Sequence, residues 1–110
     1  MPKESLGELE HQVLLAVLRL EGEAYSVPIV LELEERTGRE VAPASVYVAL
    51  RRLEEEGLAR SEMRAPGQGE SGRSRRYFAV TEEGTRLLRE SRRRLERLWE
   101  GLDPILGEAG

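Results

Sequence analysis

The tract Ala65-Pro66-Gly67-Gln68-Gly69-Glu70-Ser71-Gly72 cannot be built into a helix or a packed strand. Its proline lacks a backbone donor, and its glycines offer no side chain to bury. It is therefore a loop, and it decides what stands on either side. Leu58-Ala59-Arg60-Ser61-Glu62-Met63 before it reads as a short strand. Arg75-Arg76-Tyr77-Phe78-Ala79-Val80 after it reads as another, with Arg76, Phe78 and Val80 on one face. Two strands joined by such a loop form a hairpin with a flexible, basic tip.

Helical periodicity governs the rest. Ser5-Leu6-Gly7-Glu8 has the spacing of a capping box. Behind it Leu6, Leu9, Val13, Leu14, Val17, Leu18 and Leu20 predict a mostly buried first helix over 6–20, ended by Glu21-Gly22-Glu23. Ser26 is an N-cap candidate for a second helix of about ten residues, with Pro28 in its first turn. Ile29, Val30, Leu31 and Leu33 supply its apolar face, and Gly38 stops it. Pro43 opens a third helix whose Val46, Ala49, Leu50 and Leu53 make one buried stripe, closed by Gly57. Thr81 with Glu82 and Glu83 caps a fourth, expected to run to about Leu102 with Pro104 near its end. Leu88, Leu95 and Leu102 are spaced by sevens, as are Leu98 and Ile105. Such a seam suits a partner helix.

The order helix, helix, helix, hairpin, helix predicts a mainly α fold with a β-hairpin wing. Residues 1–81 form a winged helix-turn-helix unit and residues 82–110 a C-terminal dimerisation helix and tail. A chain of 110 residues has room for little more. With no cysteine and a single histidine, His11, thiol chemistry, disulfides and multi-histidine metal sites are excluded, and no cofactor or metal is expected. Glu82-Glu83 lacks a histidine or a second acid spaced for catalysis, and Ser71 and Ser74 lack an activating base, so no active site is found. No apolar run reaches the roughly 18 residues of a membrane span, and no signal peptide stands at the start, so a cytoplasmic protein is expected.

The formal net charge is −4, but its distribution is uneven. Residues 1–41 carry nine acids against four bases. Residues 58–81 reverse the balance, with Arg60, Arg64, Arg73, Arg75 and Arg76 against Glu62 and Glu70. Affinity for phosphate follows the charges that touch it rather than the sum. With its apolar stripe turned inward, the third helix exposes Ala44, Ser45, Tyr47, Val48, Arg51 and Arg52. Small residues at 44 and 45 permit close approach to a groove floor. Tyr47 can meet a phosphate or a thymine methyl, and Arg51 can fork onto guanine or phosphate. Glu54, Glu55 and Glu56 would repel a duplex, so contact is confined to the first two turns. Arg64, Arg73 and Arg75 complement this from the hairpin tip.

Three stretches resemble the PadR family: Leu6-Gly7-Glu8-Leu9-Glu10, the run from Val41 through Pro43, Tyr47 and Leu53 to Leu58, and the wing Gly72-Arg73-Ser74-Arg75-Arg76-Tyr77-Phe78 followed by Val80-Thr81-Glu82-Glu83-Gly84. The resemblance spans roughly residues 5–95. It implies a homodimeric winged-helix transcriptional regulator, usually a repressor, that binds double-stranded DNA and pairs through its C-terminal helix. Tyr25-Ser26 stands where the family often has Tyr-Gly. The expected DNA-contacting set is Ser26, Ala44, Ser45, Tyr47, Val48, Arg51, Arg73 and Arg75. The expected dimerisation set is Leu88, Leu95, Leu98, Trp99 and Leu102. Trp99 either fills the dimer interface or stacks on a small hydrophobic effector between subunits, as in some relatives.

Structural alternatives stand beside these roles. Tyr47 can cap the core edge, and Arg51 and Arg52 can pair with Glu54, Glu55 and Glu56. Arg76 and Tyr77 can do no more than shape the hairpin. Arg92-Arg93-Arg94, with Glu90 and Glu96 close by, reads as a solvated helix flank. The competing class is a winged-helix protein-interaction module that presents its acidic helices to a partner.

Overall fold

A computed structural model describes residues 6–67 and 72–106. The elements are α1 (Glu8–Arg19), α2 (Ser26–Thr37), α3 (Pro43–Glu55), β1 (Ala59–Arg64), β2 (Arg75–Val80), α4 (Glu82–Trp99) and a single turn, α5 (Asp103–Leu106). Three helices, an antiparallel hairpin and a long helix follow in the expected order. The expected tip residues 68–71 and the proposed cap Ser5 lie outside the described residues.

Local chemistry sets the helix starts. Gly7 is the N-cap of α1, and its N–H donates to Glu10 Oε1 at 3.1 Å, so Glu10 rather than Glu8 reaches back. Ser26 is not a cap: it is the first residue of α2, Tyr25 holds the cap position in extended conformation, and no side chain caps that end. Pro43 begins α3, where its missing N–H costs nothing. Thr81 Oγ1 accepts from the Gly84 N–H at 3.1 Å and donates to the Gly57 carbonyl at 2.7 Å, so one hydroxyl caps α4 and ties it to the turn after α3.

One core joins the first three helices to the hairpin. Val13, Leu14, Ile29, Leu33, Val46, Leu50, Leu53, Leu58, Phe78 and Leu87 are all buried. The stripe of α3 is buried as its spacing predicts, Val46, Ala49, Leu50 and Leu53 together. β1 and β2 pair in register from Ala59↔Val80 to Arg64↔Arg75. Phe78 also donates its N–H to the Ala24 carbonyl at 2.8 Å, which hooks the hairpin to the segment before α2. α4 leaves β2 so closely that Gly84 is obligatory. A β-carbon there would overlap the Leu58 carbonyl oxygen and stand 2.8 Å from Val80 Cγ1.

Three expectations are corrected. Leu31, assigned to the apolar face of α2, is 59% exposed, because only Ile29 and Leu33 of that helix point fully inward. α4 ends at Trp99, short of Leu102; Gly101 turns the chain with a left-handed φ of 80°, and Pro104 lies within α5 instead of marking a helix end. The seam spaced by sevens therefore does not run along one helix face. Leu88 is buried within the protomer and Leu102 lies beyond α4, which leaves Leu95, Leu98 and Trp99 exposed on the helix itself.

Candidate nucleic-acid interface

Because Val46, Ala49, Leu50 and Leu53 hold one side of α3 against the core, the opposite side must face solvent. Ala44, Ser45, Tyr47, Val48, Arg51 and Arg52 are all exposed there. Tyr47 is 52% exposed, so it does not cap the core edge. Among the described residues no ion pair joins Arg51 or Arg52 to Glu54, Glu55 or Glu56, although such pairs were the structural alternative for them. Glu54 is engaged elsewhere: it accepts from Ser61 Oγ at 2.5 Å. The N-terminal half of α3 thus presents small residues, one phenol and two guanidiniums. That surface is suited to the floor and edges of a nucleic-acid groove.

Ala44, Ser45, Val48 and Arg52 also line a depression closed on its far side by Gly7, Glu8 and Glu10 of the α1 start.

The hairpin arginines divide into distinct environments. Arg73 is exposed in the loop before β2. Arg64 and Arg75, expected on a mobile tip, are instead opposed strand residues at the open end of the ladder. Arg64 donates from Nη1 to the Gly22 carbonyl at 2.9 Å, pairs with Glu62 through Nη2 at 2.9 Å, and lies 4.2 Å from the Tyr77 ring centroid. Arg75 lies 4.5 Å from the Tyr25 ring, and the two tyrosine rings meet edge to face at 5.3 Å. A ladder Arg64–Tyr77–Tyr25–Arg75, two rings between two guanidiniums, thereby anchors the hairpin to the start of α2, each cation–ring contact worth about 0.5–1 kcal/mol at an exposed site. The ladder brings Arg75 near Ser26, which follows Tyr25 and is exposed in the first turn of α2.

Tyr25 and Tyr77 are the residues that sequence reasoning undervalued here. Their scarcity, among three tyrosines in the chain, was the available signal. Ser26 is the first helical residue of α2, a conformation open to any residue, so serine is accommodated there without a glycine turn.

A second surface lies between α1 and α4. His11, Leu15 and Leu18 face Leu88, Leu95 and Trp99 across a groove of about 550 Å³, with Arg89, Arg92 and Glu96 at its margins. Leu15 and Leu18 are 42% and 47% exposed. Sequence reasoning placed Leu18 on the buried face and passed over Leu15. The signal was present, since apolar residues at 13, 14, 15, 17 and 18 cover more than one side of α1 and so leave a second apolar face. His11 Nδ1 meets Ser91 Oγ at 3.0 Å, and burial pulls the imidazole pKa below its usual value. Arg92 pairs with Glu96 at 2.9 Å and Arg94 with Glu90 at 3.5 Å, in keeping with a solvated flank. Among the described residues no group of histidines and carboxylates could hold a metal ion, and no helix is long and apolar enough to cross a membrane.

Known proteins share this fold. The profile described as "Transcriptional regulator PadR-like family" matches residues 14–90. A transcriptional regulator of Mycobacterium tuberculosis is 43% identical over 63 residues, which cover 57% of this chain and 55% of that protein. The chain thus spans about half the length of that relative. The crystal structure of a PadR family transcriptional regulator from Eggerthella lenta is 32% identical, with a TM-score of 0.67 over 86% of this chain and 80% of the other. A PadR family regulator from Clostridium difficile superposes with a TM-score of 0.75 over 92% of this chain and all of its own length. At 22% identity that likeness speaks for the fold alone.

Proposed function

The chain belongs to the PadR-like family of transcriptional regulators, and from that membership we propose that it is a repressor that binds a palindromic operator in double-stranded DNA as a homodimer in the cytoplasm. One observation carries the reading. The N-terminal half of α3 exposes Ala44, Ser45, Tyr47, Val48 and Arg51 together, with the whole apolar side of the helix committed to the core. α3 enters the major groove, where Arg51 and Tyr47 read base edges and backbone, while Ser26 at the start of α2 and Arg73 and Arg75 on the wing meet flanking phosphates.

The second copy docks through α4. Beyond Leu88 the apolar residues of that helix stay exposed: Leu95 and Trp99 flank the groove lined by Leu15 and Leu18 of α1, and Leu98 is exposed as well. Dimerisation through Leu95, Leu98, Trp99 and Leu102 places two copies of α3 about 34 Å apart, one turn of duplex. Six to eight phosphate contacts per dimer then give a log–log salt slope of roughly −5 to −7.

The α1–α4 groove supports a further role for Trp99. A flat hydrophobic effector stacked on its indole would alter the angle between subunits and so the spacing of the two reading helices.

Selection of binding sites from random duplexes, repeated at two salt concentrations, tests the whole reading. The expected product is two inverted half-sites about one helical turn apart. Recovery of unrelated sequences with no shared half-site would overturn it.

A further inference from the structure

Ser61 lies on β1 beside the last turn of α3, and its hydroxyl is engaged on both sides. It accepts from Arg76 Nη1 at 3.0 Å and donates to Glu54 Oε2 at 2.5 Å. The order is chemically determined, because a guanidinium only donates, an ionised carboxylate only accepts, and a hydroxyl does both. Arg76 and Ser61 share one face of the hairpin, the face that also carries buried Phe78. Arg64 and Arg75 stand on the other face, held by the tyrosine ladder. Arg76 is thereby linked through Ser61 to α3. It is exposed, as is Met63 opposite it.

The link also accounts for a carboxylate in the last turn of the reading helix. Glu54 by itself would repel a phosphate on the hairpin side of α3. Joined through Ser61 to a guanidinium, its charge is offset, and the guanidinium becomes the outermost group of the chain of bonds. The bond to Ser61 uses one of five N–H donors in a planar fork suited to phosphate oxygens.

We infer that Arg76 is a further phosphate-contacting residue of the DNA interface, and that Ser61 and Glu54 are positioning residues that hold it at a set angle to α3. The inference rests on α3 being the DNA-reading element. Arg76 meets the backbone strand that borders the groove occupied by α3, and Ser61 acts only through Arg76.

The test compares wild type, Arg76→Gln, Ser61→Ala, Ser61→Thr and the Arg76→Gln/Ser61→Ala pair. Affinity is measured on the duplex selected by wild type and on a scrambled duplex, at two salt concentrations, alongside urea unfolding of each variant. Arg76→Gln is expected to weaken binding to both duplexes about five- to tenfold and to reduce the magnitude of the salt slope by about 1 for each subunit's lost phosphate contact. Ser61→Ala weakens binding with little change in unfolding midpoint, Ser61→Thr restores it by returning the hydroxyl, and Ser61→Ala adds nothing in the Arg76→Gln background. Effects that multiply in the pair, or an unchanged affinity in Arg76→Gln, overturn the inference while leaving α3 as the reader. Failure of wild type to bind any duplex removes both.

Discussion

His11 on α1 and Ser91 on α4 meet with Nδ1 and Oγ 3.0 Å apart, across 80 residues of sequence. The contact joins α1, which contributes to the core, to α4, which carries exposed Leu95, Leu98 and Trp99. A change in the angle of α4 must strain or break it.

Burial of His11 is expected to make stability depend on pH. Burial disfavours the charged imidazole, so the folded pKa lies below the ordinary histidine value of about 6.5. Above that value histidine is neutral in both states and adds no pH dependence. As pH falls through it the unfolded chain binds the proton first, and stability declines until the folded pKa is passed. Arg89 and Arg92 border the same groove and oppose the added charge, while Glu96 favours it. Urea unfolding at about pH 7.5 and about pH 5.5 should show a decline in wild type that His11→Gln reduces. An equal decline in both proteins would exclude His11 as its source.

Leu95→Glu places a carboxylate in the α1–α4 groove, where Leu95 is half exposed beside Trp99 and opposite Leu15. The folded protomer tolerates it, since the site retains solvent. A dimer interface would not, and burying the unpaired charge costs several kcal/mol. Sedimentation should show monomers with native circular dichroism and a loss of operator affinity of at least tenfold. A monomer that binds as wild type does would refute the coupling of dimerisation to DNA binding.

Arg51 and the wing differ in what they report. Arg51→Ala should cost about 1–3 kcal/mol on the selected duplex and relax preference at one base position. Arg73→Ala with Arg75→Ala should weaken binding to every sequence and flatten the salt dependence by roughly two contacts per subunit. Parallel titrations of selected and scrambled duplexes separate the two patterns. A wing variant that loses only sequence preference would reverse these roles.

Gly84→Ala tests the close approach of α4 to β2. The new methyl meets the Leu58 carbonyl, a backbone atom that cannot rotate away, and Val80 Cγ1 at 2.8 Å. Relief requires α4 to shift, at a cost of about 1–3 kcal/mol. Thermal unfolding should register a clear drop in midpoint. An unchanged midpoint would mean that the junction of α4 with the hairpin is looser than its geometry indicates.

Much of this arrangement was legible in the order of residues. Pro43, the stripe Val46, Ala49, Leu50 and Leu53, and Gly57 specify a helix with one buried side, because a period of 3.6 leaves few other ways to remove those groups from water. The proline- and glycine-rich tract between two short strands specifies a hairpin by the same local logic. The exposed side of α3 followed from the buried one. Local rules were weaker at the helix ends: Glu10 rather than Glu8 reaches back to the start of α1, and Ser26 stands inside α2 with no side-chain cap before it.

What tertiary structure alone decided lies in contacts between residues far apart in the chain. Leu88 belongs to the protomer core and not to the exposed seam because α4 crosses α1 before its second half projects, and spacing by sevens carries no information about that crossing. Arg75 and Arg76 are adjacent in sequence, where one reads as a phosphate contact and the other as a residue that shapes the hairpin. The pleat sends them to opposite faces of the hairpin, one over Tyr25 and one toward Ser61 and Glu54. Sequence periodicity reports which side of an element avoids water. Only the placement of one element against another determines which neighbours its remaining side chains meet.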